Sequence, residues 1–147
     1  MPETSELISC RNCDAQIPKQ GFAETHHKVC PECNYHHYMS AFERLDLLAD
    51  GASFESYDDG LYSLDPLEFP NYVEKLERDT ARTGLKSEML AGIAKISGYP
   101  VAIAIGDVRF IGGTCGSVIG EKVTRCIERA IEKRLPLIIV SVSGGMR

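Results

Sequence analysis

The sequence predicts an α/β protein made of two unlike parts, an N-terminal zinc ribbon and a sheet domain built around a strand, helix, strand unit. Three observations carry that expectation. Two C-x2-C pairs, Cys10/Cys13 and Cys30/Cys33, stand sixteen residues apart, the spacing of a four-thiolate metal site. Val101 to Ile105 and Leu137 to Val142 are apolar runs rich in β-branched residues, which suits parallel strands covered on both faces. Between them Ile119, Val123, Cys126, Ile127, Ala130 and Ile131 form a stripe at helical period, marking a helix over Val118 to Leu135 that packs on the sheet.

With 147 residues the chain has room for one modest domain, or for a small module plus part of a larger one, and its changing composition favours the second. It has no apolar run of about 20 residues and no signal-peptide pattern, so a cytoplasmic protein without membrane contact is expected. Net charge is −5 but uneven: residues 1–38 carry three basic and five acidic side chains, residues 39–109 seven and thirteen, residues 110–147 six and three. A phosphate-bearing ligand is expected near the last segment, unless Lys122, Arg125, Arg129 and Lys133 are only the solvated face of the helix. Six cysteines in such a chain argue for metal rather than disulfides.

In the ribbon, residues 1–38, each cysteine pair precedes a residue tolerant of positive φ, Asp14 or Asn34. Four thiolates leave no open coordination position, so zinc there is structural, and its binding energy replaces the core that about 30 residues cannot build. His26, His27, His36 and His37 are expected at the surface or around the ligands. Ribbons also bind nucleic acid. This one is net acidic, which weighs against phosphate contact, while Tyr35, Tyr38 and Phe22 suit either base stacking or packing.

Residues 39–86 read as a helical connecting segment. Ser40-x-x-Glu43 is a capping box opening a helix with stripe Phe42, Leu45, Leu48 and Ala49, closed by Gly51. An acidic loop, Asp58 to Pro70, follows, in which the adjacent carboxylates Asp58 and Asp59 offer a metal site on paper but are expected to be solvated turn residues. A second helix, Asn71 to Arg82, is expected to bury Tyr72, Val73 and Leu76 and to end at Gly84. From residue 87 a hairpin of Met89 to Ile96 and Val101 to Ile105, turning at Ser97-Gly98, feeds the strand, helix, strand unit.

Gly112-Gly113 and Gly144-Gly145 follow the C-terminal ends of strands, where open α/β sheets place ligands. Without side chains they act through backbone, as tight turns or as paired N–H donors to a developing oxyanion. The residues alone leave both readings open.

The cysteine pattern, SAFERLDLLADGASFE, TGL at Thr83 to Leu85, FIGGTCGSVIGEK at Phe110 to Lys122 and RAIEKRLPLIIVSVSGGMR at the end together resemble the carboxyltransferase β subunit of bacterial acetyl-CoA carboxylase. The resemblance runs from about Ser9 to Arg147. It implies a ribbon followed by the first, truncated part of a crotonase-like fold of ββα units over residues 87–147. It also implies transfer of a carboxyl group from carboxybiotin on a carrier protein to acetyl-CoA, giving malonyl-CoA for fatty acid synthesis. The partners implied are a carboxyltransferase α subunit, in an α2β2 assembly with the active site at the interface, the biotin carboxyl carrier protein and biotin carboxylase.

By that resemblance Gly144 and Gly145 match the S-G-G-A-R motif whose amides meet the enolate, and Gly112, Gly113 and Gly116 match a loop that shapes the substrate pocket. Cys115 stands where that loop usually has Met, and Met146 where the motif has Ala. Members of the family continue for roughly as many residues again, so apolar surface is expected to be exposed and this chain to be inactive alone. Two alternatives stand beside this reading: a nucleic-acid-binding or regulatory ribbon module, and another crotonase-fold acyl-CoA enzyme such as a malonyl decarboxylase, whose kind generally lacks the ribbon.

Overall fold

Ser97 and Gly98 both take positive φ, 51° and 82°, the pair of left-handed residues that a two-residue hairpin requires if its strands are to keep their twist. The computed structural model that contains this turn describes residues 6–147, so the first five residues of the ribbon segment lie outside the described residues. The chain divides into two units, one ending at Met39 and the other running Ser40–Arg147.

In the first unit β1 (Leu7–Ser9) pairs antiparallel with β2 (Gln16–Pro18), Ile8 opposite Ile17. A single bridge joins Val29 to His36. Cys10, Ile17, Phe22 and Cys30 are its buried centre, with Ile8, Ala15, Cys33 and Tyr35 packed around them.

The second unit begins with α1 (Ala41–Leu48), where Ser40 and Glu43 close both halves of the capping box. The helix buries Ala41 and Leu45, and Phe42, expected inside, is exposed. It stops at Ala49, whose N–H bonds the Leu45 carbonyl, two residues before Gly51. After β3 (Glu55–Ser56) comes α2 (Tyr72–Thr83), which ends on Gly84 at φ 74°. Its buried side chains are Asp79 and Thr83, not the expected apolar set: Val73 is exposed, and Tyr72 and Leu76 are half-buried.

The sheet has the order β3, β4 (Met89–Ile96), β5 (Tyr99–Gly106), β6 (Leu137–Val140). β4 and β5 are antiparallel with Met89 opposite Gly106, and β5 and β6 are parallel with Ala102 opposite Leu137. Alternation along β5 sorts two cores. Val101, Ile103 and Ile105 pack with Leu90, Phe110 and α1, while Ala102 and Ala104 pack with Met89, Ala91 and the helix α3 (Ser117–Lys133) through Ile119, Cys126 and Ala130. Residues from Ser40 on thus fold with the sheet, and α1 covers one of its faces where a separate connector was expected.

Four expectations change here. β6 is an edge strand with Leu137 and Ile139 exposed, not a strand covered on both faces, and on α3 Ile127 and Ile131 are exposed too. β6 ends at Val140, short of the expected Val142, whose carbonyl lies against Gly113. Lys122, expected on the solvated face, is buried and donates from Nζ to the Met89 carbonyl at 2.9 Å. Among the described residues no helix is long and apolar enough to cross a membrane.

Candidate functional site

The sulfur atoms of Cys10, Cys13, Cys30 and Cys33 all lie within 4.8 Å of one another. Cys10 and Cys33 sulfurs are 3.7 Å apart, those of Cys13 and Cys30 3.8 Å. A tetrahedral zinc with Zn–S bonds of about 2.3 Å has sulfur edges of about 3.8 Å, so the cluster fits a metal such as zinc.

The two knuckles are built alike. Asp14 N–H bonds the Cys10 carbonyl at 3.0 Å and Asn34 N–H the Cys30 carbonyl at 2.9 Å, with Asp14 and Asn34 at φ 58° and 59°. Cys10 and Cys30 N–H groups then bond the carbonyls of Ala15 and Tyr35 at 2.9 and 2.8 Å. His37 packs edge-on against Phe22 and Tyr35, burial pushes its pKa below the ordinary value, and it lies outside the group of four sulfurs.

The five glycines singled out by sequence come together where β5 and β6 end. Cys115 and Met146 form a parallel bridge: Cys115 N–H bonds the Gly145 carbonyl at 2.8 Å, and Arg147 N–H bonds the Cys115 carbonyl at 3.0 Å. Gly113, at φ 66°, admits no side chain, since a Cβ would stand 2.5 Å from the Val142 carbonyl oxygen. Gly116 is the N-cap of α3 and lies beside the Arg147 guanidinium. Both N–H groups expected to serve as oxyanion donors are engaged within the chain. Gly144 donates to the Gly112 carbonyl at 3.0 Å, and Gly145 donates to Ser143 Oγ at 3.1 Å. The second partner is an exposed side chain and not backbone: Ser143 Oγ also donates to the Gly145 carbonyl at 2.9 Å, and rotation about one bond releases both contacts. Cys115 Sγ lies 3.5 Å from that hydroxyl.

Two buried acids that the sequence reading passed over, Asp79 and Glu88, hold these loops. Asp79 Oδ2 accepts from Ile111 N–H at 2.8 Å. Ile111 sits at φ 42°, an outlier for a β-branched residue, and leads into Gly112 and Gly113, so one carboxylate anchors a strained turn. Burial alone would raise the Asp79 pKa, but Arg78 and the Ile111 N–H outweigh it and hold the group below the ordinary value. Asp107 accepts from Ala41 N–H at 3.0 Å and pairs with Arg109 at 2.7 Å, and these bonds likewise overcome burial to lower its pKa. Glu88, wholly buried, forms an ion pair with Arg147. Asp58, expected to be solvated, pairs with Arg125 at 2.9 Å and with Arg129, so these α3 cations are not free for a phosphate. The available signal was local: Glu88 and Asp107 are single acids set directly against apolar strand runs.

The model of the carboxyl transferase domain matches residues 38–147. This chain belongs to the carboxyl transferase domain family. The carboxyl transferase chain is also 40% identical over 142 residues to the acetyl-coenzyme A carboxylase carboxyl transferase subunit beta of Fusobacterium nucleatum, covering 97% of this chain and 46% of that protein. It therefore spans about half the length of the curated relative it matches. Among solved structures, it is similar to transcarboxylase 12S crystallised with methylmalonyl-coenzyme A and methylmalonic acid, at TM-score 0.61 and 27% identity over 75% of this chain and 20% of that one. A single-chain, multi-domain long-chain acyl-CoA carboxylase, at TM-score 0.62 and 22% identity over 86% of this chain and 12% of that one, shows the likeness of fold alone.

Proposed function

We propose that this chain is part of the β subunit of a cytoplasmic acetyl-CoA carboxylase, working with an α subunit in an α2β2 assembly and with the biotin carboxyl carrier protein and biotin carboxylase. The reading is carried by the meeting of the two glycine loops at the ends of β5 and β6, in a chain 40% identical to a protein of that name. Loss of a methyl proton from acetyl-CoA leaves an enolate whose charge gathers on the thioester oxygen. Fixed N–H donors there contribute roughly 3 kcal/mol each to lowering the barrier. Gly145 N–H fits that task, exchanging the Ser143 hydroxyl for the enolate oxygen, while Gly144 N–H, bonded to the Gly112 carbonyl, ties the same motif to the first glycine loop. Gly112, Gly113 and Gly116 shape the acyl pocket. Carboxybiotin on the carrier protein would supply the carboxyl group as CO2, and its freed ring nitrogen would take the methyl proton, so no side-chain base is required. Zinc on Cys10, Cys13, Cys30 and Cys33 is structural.

The test is malonyl-CoA formation by the full-length polypeptide with its α partner, carboxybiotin and acetyl-CoA. Gly145→Pro deletes the donor and is expected to lower kcat about 100-fold or more. Turnover at the wild-type rate in that variant removes Gly145 from the mechanism.

A further inference from the structure

The Arg147 side chain reaches back from the second glycine loop and joins four separate parts of the unit. Its Nη1 donates to the Thr114 carbonyl at 2.7 Å and to Thr114 Oγ1 at 3.0 Å, on the first glycine loop. Nε donates to the Tyr72 hydroxyl at 3.0 Å, and Nη2 to Ser63 Oγ at 3.3 Å. Nη2 also faces Glu88 Oε1. Glu88 sits just ahead of β4 with no exposed surface, and neither of its oxygens makes a hydrogen bond of ordinary geometry.

A carboxylate placed so is poor value for stability. Burial pushes its pKa up, against the opposing influence of Arg147 and Lys122, and a buried ion pair commonly adds less than an apolar replacement of the same volume. Its geometry instead suits fixing the register of what it touches. The guanidinium that Glu88 holds also grips Thr114, one residue before the Cys115 carbonyl to which the Arg147 N–H is bonded.

We propose that Glu88 is a positioning residue which, by seating the Arg147 guanidinium, locks the two glycine loops together and fixes the backbone of Gly144 and Gly145. This rests on the assignment of the Gly145 amide as an enolate donor, and two readouts on the full-length polypeptide separate the two ideas.

The first readout needs no substrate. In Glu88→Gln, amide hydrogen exchange at Gly144 and Arg147 is expected to quicken at least tenfold, with exchange in the middle of β5 unchanged. Unchanged exchange in the loop overturns the proposal. The second is steady-state kinetics with acetyl-CoA: kcat is expected to fall about tenfold while KM stays within about twofold, the mark of lost transition-state alignment. Faster exchange with wild-type kcat keeps the lock and overturns the enolate-donor reading. If Glu88→Gln does not fold, Arg147→Lys, which keeps the charge but loses the planar fork, carries the same test with the same expected and overturning results. In the double variant the losses are expected not to add, and additive losses refute a shared action.

Discussion

Gly112 and Gly113 take nearly the same backbone conformation, φ 64° and 66°, yet a methyl group would meet different surroundings at each. At Gly112 the space is open, and at Gly113 a Cβ would press on the Val142 backbone oxygen at 2.5 Å. Gly112→Ala should therefore cost only the left-handed penalty of about 1–2 kcal/mol. Gly113→Ala must in addition push the two loops apart, and the expected loss is about 3 kcal/mol or more. Urea denaturation of the two variants side by side measures the difference, and equal losses would mean that the loops are not held in contact. Conformational freedom is the smaller part of what glycine supplies at this position. The larger part is the absence of a side chain between two strands' ends.

At the scale of elements, the ribbon has four buried centres, Cys10, Ile17, Phe22 and Cys30, two of which are metal-ligand candidates. So small a core cannot hold its own fold, and structural zinc contributes roughly 10–16 kcal/mol in comparable modules. A strong chelator should therefore collapse amide protection across residues 8–38 while leaving the β4 and β5 amides protected, and Cys30→Ser should lower bound zinc from about one to well under one per chain. Hydrogen exchange and metal analysis check both, and a ribbon that stays protected without metal refutes a structural role.

The knuckles were legible beforehand because their signals are local: the cysteine spacing, the positive φ at Asp14 and Asn34, the Ser40 capping box, the Ser97-Gly98 turn and the Gly84 cap each depend on residues a few positions apart. What escaped depends on distant ones. β3 is two exposed residues with no periodicity, and it exists because Gly92 lets Phe54 and Glu55 lie on β4, where a Cβ would come within 2.2 Å of the Glu55 carbonyl. The inner face of α2 is polar because Asp79 must reach Ile111, 32 positions on. Likewise Arg125 and Arg129, which read as a solvated stripe or a phosphate patch, are claimed by Asp58 from the far side of the chain. The five glycines could be named from sequence, but the ties on their N–H groups could not.

Across the whole second unit, the buried acids make stability depend on pH in two opposed ways. The Asp107 pKa lies below its unfolded value of 3.8 because Arg109 and two backbone N–H groups prevail over burial, and Asp58 and Asp79 are lowered too. Groups lowered by folding contribute stability that is present above the unfolded value and is lost as pH falls through the folded one. Glu88 has the reverse sign: burial raises it above its unfolded value of 4.5, so its contribution is present below that value and is lost as pH rises through its folded one. Urea stability measured from pH 2 to 7 should thus fall steeply below about pH 4. Asp107→Asn should lose roughly 3 kcal/mol at neutral pH, because Arg109 is left beside an uncharged partner, and its acid limb should be shallower than that of the wild type. Glu88→Gln should instead gain more stability than the wild type between about pH 4.5 and 7, since it lacks the one acid among these that folding makes harder to ionise. A Glu88→Gln curve parallel to the wild type over that window would mean that Arg147 and Lys122 offset the burial of Glu88 in full, and that holding this carboxylate beneath the glycine loops costs the fold nothing.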